Sequence, residues 1–405
     1  MRVLVHDYSG HPFQVQLSRE LARRGHEVLH QHFGGFQTPK GALQRRATDP
    51  ATFDVEALDI GEPFAKTTLV KRVRQERRYG EVALRAARAF APDCFIGSNL
   101  PLDPLDILVR GLKDDGCRCV LWWQDIYSVA MRKILPRRLP VVGHFVAEHY
   151  RRLERRVCRH ADAIVCITDD FGEVLEDWRV DRGKSLTIEN WAPLDEIEPV
   201  DRPNGWAHEH DLADRPVLLY AGTLGFKHNP ELLWQAARQI GACDDLHDAR
   251  VVVVSEGAGA DWLRVRLAEE PDVPLVLLPF QPYERFSEVL GCASVVAAVL
   301  EPEAGVFSVP SKILSYLAAG RAVLVGAPAE NLASRTVTRE AAGVVAPADD
   351  PAAFAAAAIA LLRDGEGCAE MGRRGRVYAE RTFDVRKIAD RFEGLLTGAP
   401  AAMAA

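Results

Sequence analysis

Short apolar runs alternate with helical patterns along the whole chain. Continuous apolar segments lie at 94–97, 119–123 and 163–167, between stretches with the 3.6-residue apolar period of a helix. A strand that is apolar at every position is buried on both faces, as happens in a parallel sheet covered by helices on both sides. The pattern therefore predicts an α/β fold built on parallel sheets.

A polar interval divides this pattern into two halves. A chain of 405 residues is longer than one hydrophobic core usually organises. Residues 192–215 are rich in Pro, Asp, Glu, Asn and Gly and have no apolar period, which indicates a linker. The predicted order is a Rossmann-like domain over 1–195, a linker over 196–215, a second Rossmann-like domain over 216–380, a helix over 381–396 that packs back toward the first domain, and a disordered tail over 397–405.

The second half repeats the strand–helix alternation of the first. Ligands of open parallel sheets bind at the carboxyl ends of the strands, so two such domains predict facing sheets with a ligand cleft between them. The site residues are therefore expected in loops that follow strands. The strands predicted for the second domain are 217–221, 250–255, 275–278, 294–299, 322–326 and 343–345.

Composition places the chain among ordinary globular proteins, at 48% hydrophobic and 26% charged residues. The N-terminus is expected to be a strand and not a signal peptide, since it has no apolar core region or cleavage site. No apolar run approaches the roughly 18 residues of a membrane span. The eight cysteines form no Cys-x-x-Cys pair, so buried thiols in a reducing cytoplasm are expected.

The basic residues are concentrated in one region. Residues 66–160 carry 20 Lys and Arg against 10 Asp and Glu, although the net charge of the chain is −7. Basic clusters at 71–78 and 151–156 flank four further basic residues at 132–138, which have apolar neighbours. Such a region either docks on an anionic membrane surface or is a solvated helix face. Nucleic acid is not an expected partner, because no aromatic side chains are interleaved.

The segment 309–325 reads as a loop, a helix and a buried strand. Pro310 suits the entry to a helix and Gly320 suits its end. Ser311 and Lys312 would lie in the first turn, where backbone N–H groups and the helix dipole attract an anion. A phosphate site is one interpretation, and an ordinary helix–strand unit is the other.

The loop 222–227 follows the first strand of the second domain. Gly222 and Gly225 permit close approach of the backbone to a ligand, and Lys227 can reach a diphosphate there. Both this loop and Ser311-Lys312 would project from the same sheet edge, which favours the phosphate interpretation.

Four ordered motifs of the second half resemble the nucleotide-sugar domain of retaining GT-B glycosyltransferases. The motifs are Tyr-Ala-Gly-Thr-Leu-Gly at 220–225, Ser-Glu-Gly-Ala-Gly at 255–259, Leu-Pro-Phe-Gln at 278–281 and Pro-Ser-Lys…Ala-Gly at 310–320. The first half agrees in its glycine loop at Gly10, its Leu-Glu-Arg-Arg…Ala-Asp-Ala-Ile-Val segment at 153–165, and Asn190-Trp191. The chain is most similar to glycosyltransferase family 4, in the cell-surface polysaccharide subgroup that includes colanic-acid-type transferases, over residues 1–396.

The resemblance implies roles for individual residues. Lys227 would neutralise the leaving diphosphate, Glu303 or the nearby Glu301 would touch the donor sugar, and Asp125 would orient the acceptor or, alternatively, only cap the next helix. Gly10, His11, Asp7 and Gln124 would line the acceptor side. The donor nucleotide would be held by Gly222, Thr223, Gly225, Lys227, Gly257, Phe280, Gln281, Ser311, Lys312 and Ser315.

Three positions depart from the family pattern. Ser315 stands where a ribose-binding glutamate is usual, Thr223 where an arginine is frequent, and Gln124 in place of an acceptor-side histidine. The resemblance implies no metal or other cofactor. The linker segment His208-Glu209-His210-Asp211 could coordinate a metal, but a solvated loop is the simpler interpretation.

The predicted function is retaining transfer of a sugar from a nucleotide diphosphate to a glycan or polyprenyl-linked acceptor in polysaccharide synthesis. The enzyme would be cytoplasmic, with possible peripheral contact to the inner face of the plasma membrane through its basic first domain. Two alternatives stay open: a sugar-nucleotide epimerase of the same fold, and a non-catalytic partner subunit.

Overall fold

A computed structural model describes residues 1–35, 43–62, 69–225, 227–305 and 307–398. The chain forms two compact units. Unit 1 contains Met1–Asn190 and returns at Asp384–Ala405, and unit 2 contains Trp191–Phe383.

Strands and helices alternate along most of the chain, but α5 follows α4 directly and the chain closes with three successive helices. The strands are β1 Arg2–Asp7, β2 Glu27–Phe33, β3 Phe53–Leu58, β4 Cys94–Ser98, β5 Arg118–Trp123, β6 Ala163–Cys166, β7 Ser185–Thr187, β8 Val217–Ala221, β9 Arg250–Val254, β10 Leu275–Leu278, β11 Val295–Val299, β12 Ala322–Gly326 and β13 Gly343–Ala346. The α-helices are α1 Pro12–Arg23, α2 Leu69–Phe90, α3 Leu102–Asp114, α4 Tyr127–Arg138, α5 Val142–His160, α6 Phe171–Asp177, α7 Gly205–Glu209, α8 Pro230–Gly241, α9 Ala258–Glu269, α10 Phe286–Gly291, α11 Lys312–Ala318, α12 Leu332–Arg339, α13 Pro351–Arg363, α14 Gly365–Thr382 and α15 Val385–Thr397.

The sheet of unit 1 has seven parallel strands in the order β3-β2-β1-β4-β5-β6-β7. The apolar runs β4, β5 and β6 lie at its centre, and nearly all their residues are buried, as helices on both faces require. The chain leaves β1 toward β2 on one side and joins β4 on the other. The order therefore reverses between β1 and β4, where ligands of such sheets bind.

Unit 2 repeats this design with six parallel strands in the order β10-β9-β8-β11-β12-β13. Every residue of β8, β11 and β12 is buried. The order reverses between β8 and β11, so the loops after these two strands occupy the ligand-binding position of this sheet. The predicted α/β class with two parallel sheets is confirmed.

The predicted and observed elements differ mainly at the edges. All six strands predicted for the second domain are present, with ends within one residue, whereas β3 and β7 were not predicted. β3 is an edge strand with mixed exposure and β7 has three residues, so neither carries a continuous apolar signal. The interval predicted as a linker belongs to unit 2 and contains α7, whose Trp206 is buried. Of the tail predicted to be disordered, residues 399–405 lie outside the described part of the chain.

The C-terminal helix α15 packs within unit 1. Its Phe392 is fully buried against Trp122, with ring centroids 4.8 Å apart. On the polar side, Arg24 Nη1 of α1 donates to Asp390 Oδ1 at 2.6 Å and to Glu393 Oε2 at 2.5 Å. The core of unit 1 is therefore completed by the end of the chain.

The cysteines are free thiols, and seven of the eight are buried, as predicted. Among the described residues, no helix is both long and apolar enough to cross a membrane.

Candidate active site

The loops after β8 and β11 bring Lys312 to the switch point of unit 2. Lys312 is the first residue of α11, and its Nζ donates to Tyr220 Oη at 2.8 Å, above the Tyr220 ring at 4.6 Å from the centroid. Tyr316 fixes the helix in place, because its hydroxyl accepts from Ala221 N–H at 3.0 Å and donates to Ala221 C=O at 3.1 Å. The cation is thus held at the carboxyl end of β8.

Burial and a neighbouring cation weaken the charge on Lys312. Desolvation, followed by the charge of Lys227, lowers the Lys312 pKa to about 7. His228 Nε2 lies 3.3 Å from Lys312 Nζ, and His228 Nδ1 accepts from Gly225 N–H at 3.0 Å. That backbone bond leaves the ring proton on Nε2, where it faces the lysine amine. Burial, Lys312 and Lys227 hold the His228 pKa well below its usual range. In the absence of a bound anion, the contact with His228 therefore favours the neutral form of the Lys312 amine.

Gly222 is required by both conformation and space. Its φ is +132°, and a Cβ there would lie 3.1 Å from Lys312 Cε. Any larger residue would strain the backbone and displace the lysine. The group that approaches the Gly222 backbone closely is the side-chain stem of Lys312.

Lys227 and Ser308 form the second part of this donor edge. Lys227 Nζ donates to Ser308 Oγ at 2.7 Å. The fully buried Asn331 fixes the backbone at Gly305 and at Ser308, because its Nδ2 donates to Gly305 C=O at 2.5 Å and to Ser308 C=O at 2.9 Å. Two lysines, from the loops after β8 and β11, therefore lie at one sheet edge, where a diphosphate would find positive charge on both sides.

The two candidate sugar-contacting glutamates lie beside this cationic edge. Glu301 N–H donates to Lys227 C=O at 2.9 Å, and Glu303 lies in the 3₁₀ turn Pro302–Ala304. Burial and then the charge of Glu303 raise the Glu301 pKa. The backbone of Glu301 thus adjoins that of Lys227, and Glu303 is close enough for its charge to act on Glu301, so the choice between the two glutamates stays open.

The remaining predicted donor residues occupy two loops and one helix. Gly257, at φ +109°, precedes α9, and Gly259 N–H donates to Leu224 C=O at 2.9 Å, which ties the loops after β9 and β8 together. Thr223 is exposed and Gly225 partly buried.

Ser311 was predicted in the first turn of α11, but the helix begins one residue later, at Lys312. Ser311 is exposed in the position before the helix, and its side chain makes no cap hydrogen bond. Ser315 lies one turn beyond Lys312 and is partly buried. These positions leave both hydroxyls on the same helix end as the lysine.

Phe280 and Gln281 follow β10, the edge strand that lies two places from β8. Gln281 Oε1 accepts from the buried Trp206 Nε1 at 3.1 Å, and Gln281 Nε2 donates to Pro279 C=O at 3.0 Å. The Gln281 amide is thus engaged by groups of its own unit.

In unit 1 the loop after β1 forms a polar cluster at the switch point. The carboxylate of the buried Asp7 accepts from the backbone N–H groups of Ser9 and His11, and Asn99 Nδ2 donates to Asp7 Oδ1 at 3.3 Å. His11 Nδ1 lies 3.4 Å from Asp7 Oδ1. Burial alone would raise the Asp7 pKa, but His11 outweighs it and the pKa is lowered. Gly10, at φ +77°, closes the turn. We call Asp7, His11 and Asn99 the unit 1 polar cluster.

Asp125 is not the cap of α4. The helix begins after Ile126 without a side-chain cap, and the buried Glu154 of α5 instead accepts from Tyr127 N–H at 3.1 Å and Ser128 N–H at 2.9 Å. The capping alternative for Asp125 is therefore wrong, because a carboxylate from another helix already holds those donors. Asp125 itself is partly buried directly after β5.

Gln124 forms a reciprocal amide pair with Asn190. Gln124 Nε2 donates to Asn190 Oδ1 at 3.1 Å, and Asn190 Nδ2 donates to Gln124 Oε1 at 2.6 Å. Both side chains are buried, so the Gln124 amide is held in place at the carboxyl end of β5.

Four residues of this site were given no role from the sequence. Tyr220 and Tyr316 lie within the quoted motifs but look like core aromatics, and His228 follows Lys227 without a spacing signal. Asn331 caps α12 and could have been recognised only as a cap.

Within the described ranges, no group of three or more His, Cys, Asp and Glu side chains is placed to hold a metal ion. His208 and Glu209 end α7, and His210 and Asp211 follow in a turn. The segment is exposed except for the partly buried His210, so it is solvated as expected, although half of it is helical.

Family models match both units. A model described as "Glycosyl transferase 4-like domain" matches residues 11–191, and one described as "Glycosyl transferases group 1" matches residues 215–364. The fold and the paired matches define the class of protein, a two-domain glycosyltransferase. Together the matches span most of the chain, and the chain belongs to the GT-B glycosyltransferases. None of the curated proteins matches it.

Solved structures share the fold over nearly the whole chain. Sucrose-phosphate synthase from Thermosynechococcus elongatus is 16% identical with a TM-score of 0.76, covering 98% of each chain. HepE from Anabaena, in complex with UDP-glucose, is 15% identical with a TM-score of 0.71, covering 98% of this chain and 100% of that one. WaaG, a glycosyltransferase of lipopolysaccharide biosynthesis, is 16% identical with a TM-score of 0.68, again covering 98% and 100%. At these identities the likeness establishes the GT-B fold, as predicted.

Proposed function

We propose that this glycosyltransferase moves a sugar, with retention of configuration, from a nucleotide diphosphate to a glycan or lipid-linked acceptor in polysaccharide synthesis. The observation that carries the proposal is the pair Lys312 and Lys227 at the switch point of unit 2, where the absence of a side chain at Gly222 leaves room for the Lys312 stem. The complex of HepE with UDP-glucose supports a nucleotide sugar as the donor class.

The proposed mechanism is electrostatic. Cleavage of the bond between the sugar and the diphosphate places negative charge on the leaving group, and Lys227 and Lys312 stabilise that charge in the transition state. Glu303 or Glu301 contacts the donor sugar. Asp125, at the end of β5, orients the acceptor. Ser315, Ser311, Thr223 and the glycines at 225 and 257 surround the donor, with Phe280 and Gln281 on the side of the base.

We further propose that no metal takes part. Two lysines supply the positive charge that a divalent cation supplies to a diphosphate in other enzymes. The rate of transfer should be the same with EDTA and with added magnesium. A strict requirement for magnesium would overturn this part.

Membrane contact through the basic helices of unit 1, on the cytoplasmic side, is the last part of the proposal. Anionic lipids attract Lys and Arg clusters at low salt. Sedimentation of the protein with vesicles containing phosphatidylglycerol, and release by salt, would support it. Equal binding to neutral vesicles would contradict it.

The decisive experiment measures release of nucleoside diphosphate from a panel of nucleotide sugars with and without lipid-linked glycan acceptors. Release that requires an acceptor, with product of retained anomeric configuration by NMR, is expected. Isomerisation of the nucleotide sugar without acceptor would identify an epimerase instead. Nucleotide binding without turnover across all acceptors would identify a partner subunit. Lys312→Ala is expected to lower the rate by about 100-fold or more, whereas Lys387→Ala, at an exposed position of α15, serves as the control.

A further inference from the structure

Unit 1 contains a large cavity that the donor chemistry does not use. Its volume is about 760 Å³, and it is bounded by α2, α4 and α5. That volume is in the range of small-molecule binding sites, which are roughly 300–1,000 Å³. The wall is mostly apolar and includes Val73, Met131, Leu135 and Val146.

The outer rim of this cavity exposes apolar side chains to solvent. Eight large apolar side chains are exposed among the described residues, and four of them line the cavity: Val70, Leu139, Val142 and Phe145. Phe145 is 75% exposed and Val70 is 83% exposed. Contiguous exposure of this kind marks a surface that meets another apolar phase. A ligand that enters here brings its own apolar part.

The other end of the cavity is polar. Ser9 and Asn99 line it, and both hydrogen-bond Asp7 in the unit 1 polar cluster, Ser9 through its N–H at 3.1 Å and Asn99 through Nδ2 at 3.3 Å. These residues follow β1 and β4, where the strand order reverses. The cavity therefore connects an apolar rim to the ligand-binding edge of the sheet.

The surrounding helices favour an anionic ligand. Together α2, α4 and α5 carry 16 Lys and Arg but only four Glu. Within the cavity wall, Arg72 pairs with Glu76 at 2.7 Å and Arg77 with Asp103 at 2.8 Å, so local acids are already engaged. An ion such as a lipid phosphate or diphosphate is the complement of this field.

We propose that this cavity binds the isoprenoid or alkyl chain of a phosphate-linked lipid acceptor, with the phosphate among the basic side chains of α2, α4 and α5 and the sugar hydroxyls at the unit 1 polar cluster. This rests on the proposed transferase function and specifies the class of acceptor. The lipid chain is removed from water by contact with Val142 and Phe145, while the sugar-bearing head reaches the carboxyl ends of β1 and β4. A water-soluble glycan has no apolar part to place against this wall, whereas a lipid chain does.

The test uses the full chain and geranylgeranyl diphosphate below its micelle concentration, with binding followed by calorimetry. Val146→Trp fills the partly buried wall, and Phe145→Asp places a charge on the exposed rim without touching the core. Each variant is expected to weaken binding by about ten-fold or more. Val265→Asp, at an exposed apolar position of α9 in unit 2, is the matched control and should bind like the wild type.

Several results would overturn the inference. They are absence of saturable binding, equal binding of inorganic diphosphate, and unchanged affinity in both Val146→Trp and Phe145→Asp. Nucleotide-sugar binding is measured on the same samples, with Lys312→Ala as the variant that removes it. Lipid binding without nucleotide binding would contradict the proposed function but support this site. Nucleotide binding without lipid binding would contradict this lipid site but leave the proposed function standing.

Discussion

At the scale of single residues, the donor site depends on the protonation of one lysine. The pKa of Lys312 is about 7, lowered by burial and by Lys227, so roughly half of the free enzyme carries a neutral amine at neutral pH. A bound diphosphate favours the charged form and raises that pKa. Binding is therefore coupled to uptake of a proton.

We expect about one proton to be taken up per nucleotide diphosphate at pH 8 and almost none at pH 6, where Lys312 is already protonated. Affinity should consequently fall as the pH rises above 7. Calorimetry in buffers with different ionisation enthalpies measures the uptake directly. Lys312→Arg stays charged at every pH, so its binding should take up no proton through this residue. Uptake that is the same in both proteins would contradict the assignment.

Buried histidines make unit 1 sensitive to acid. Burial lowers the pKa of His6 to about 4 and that of His30 to about 3, whereas both are near 6.5 when unfolded. Between these values the unfolded chain binds more protons, so stability falls as the pH drops below about 6.5.

From pH 7 to pH 5 we expect a loss of roughly 2 kcal/mol of unfolding free energy for each of His6 and His30. Urea unfolding at the two pH values, followed by tryptophan fluorescence, measures it. His30→Gln should flatten the dependence, while His247→Gln, at an exposed position, should leave it as in the wild type. An equal slope in His30→Gln would argue against burial as the cause.

At the scale of elements, the loop after β8 is shaped by a glycine that a sequence motif identifies but does not explain. The motif at 220–225 predicted close backbone approach to a ligand. The structure adds that the space at Gly222 is occupied by the stem of Lys312, from a helix some 90 residues later in the chain.

Gly222→Ala should lower nucleotide affinity by about ten-fold or more, because its Cβ strains φ and pushes the lysine away. Gly394→Ala, where a Cβ on α15 meets nothing within 4 Å, is the control for the loss of a glycine. Isothermal titration with a nucleoside diphosphate compares them. If Gly222→Ala binds normally while remaining folded, the steric argument is wrong.

How much the sequence predicts depends on whether a signal is local. The strands β8, β10 and β12 were placed correctly because each is a continuous apolar run between turn residues. The cap of α4 was missed, since Glu154 reaches it from α5 and nothing near Asp125 indicates that. Lys312 was found through its position in the first turn of a helix, but its partner His228 was not, because that contact joins α11 to the separate loop after β8.

At the scale of the whole molecule, the chain order and the folded units do not coincide. Unit 1 needs α15 from the end of the chain, whose Phe392 fills its core beside Trp122. A fragment ending at residue 383 therefore lacks part of the N-terminal core, although it contains every strand.

Phe392→Ala should destabilise the protein by about 3–5 kcal/mol, as for other buried aromatic deletions. Lys387→Ala, on the exposed side of the same helix, should change stability by no more than about 0.5 kcal/mol. Chemical denaturation of both variants measures the difference. Equal stability of the two would show that α15 contributes little to unit 1.

The lowered pKa of Lys312 also makes its amine selectively reactive. An amine that is unprotonated in about half of the molecules at neutral pH attacks acylating reagents much faster than ordinary lysines, which are almost all ammonium ions. A limiting amount of an activated ester should therefore label Lys312 before the exposed Lys387, as peptide mass spectrometry would show. Preloading with a nucleotide diphosphate should prevent this labelling, so that one covalent tag reports whether the donor site is occupied.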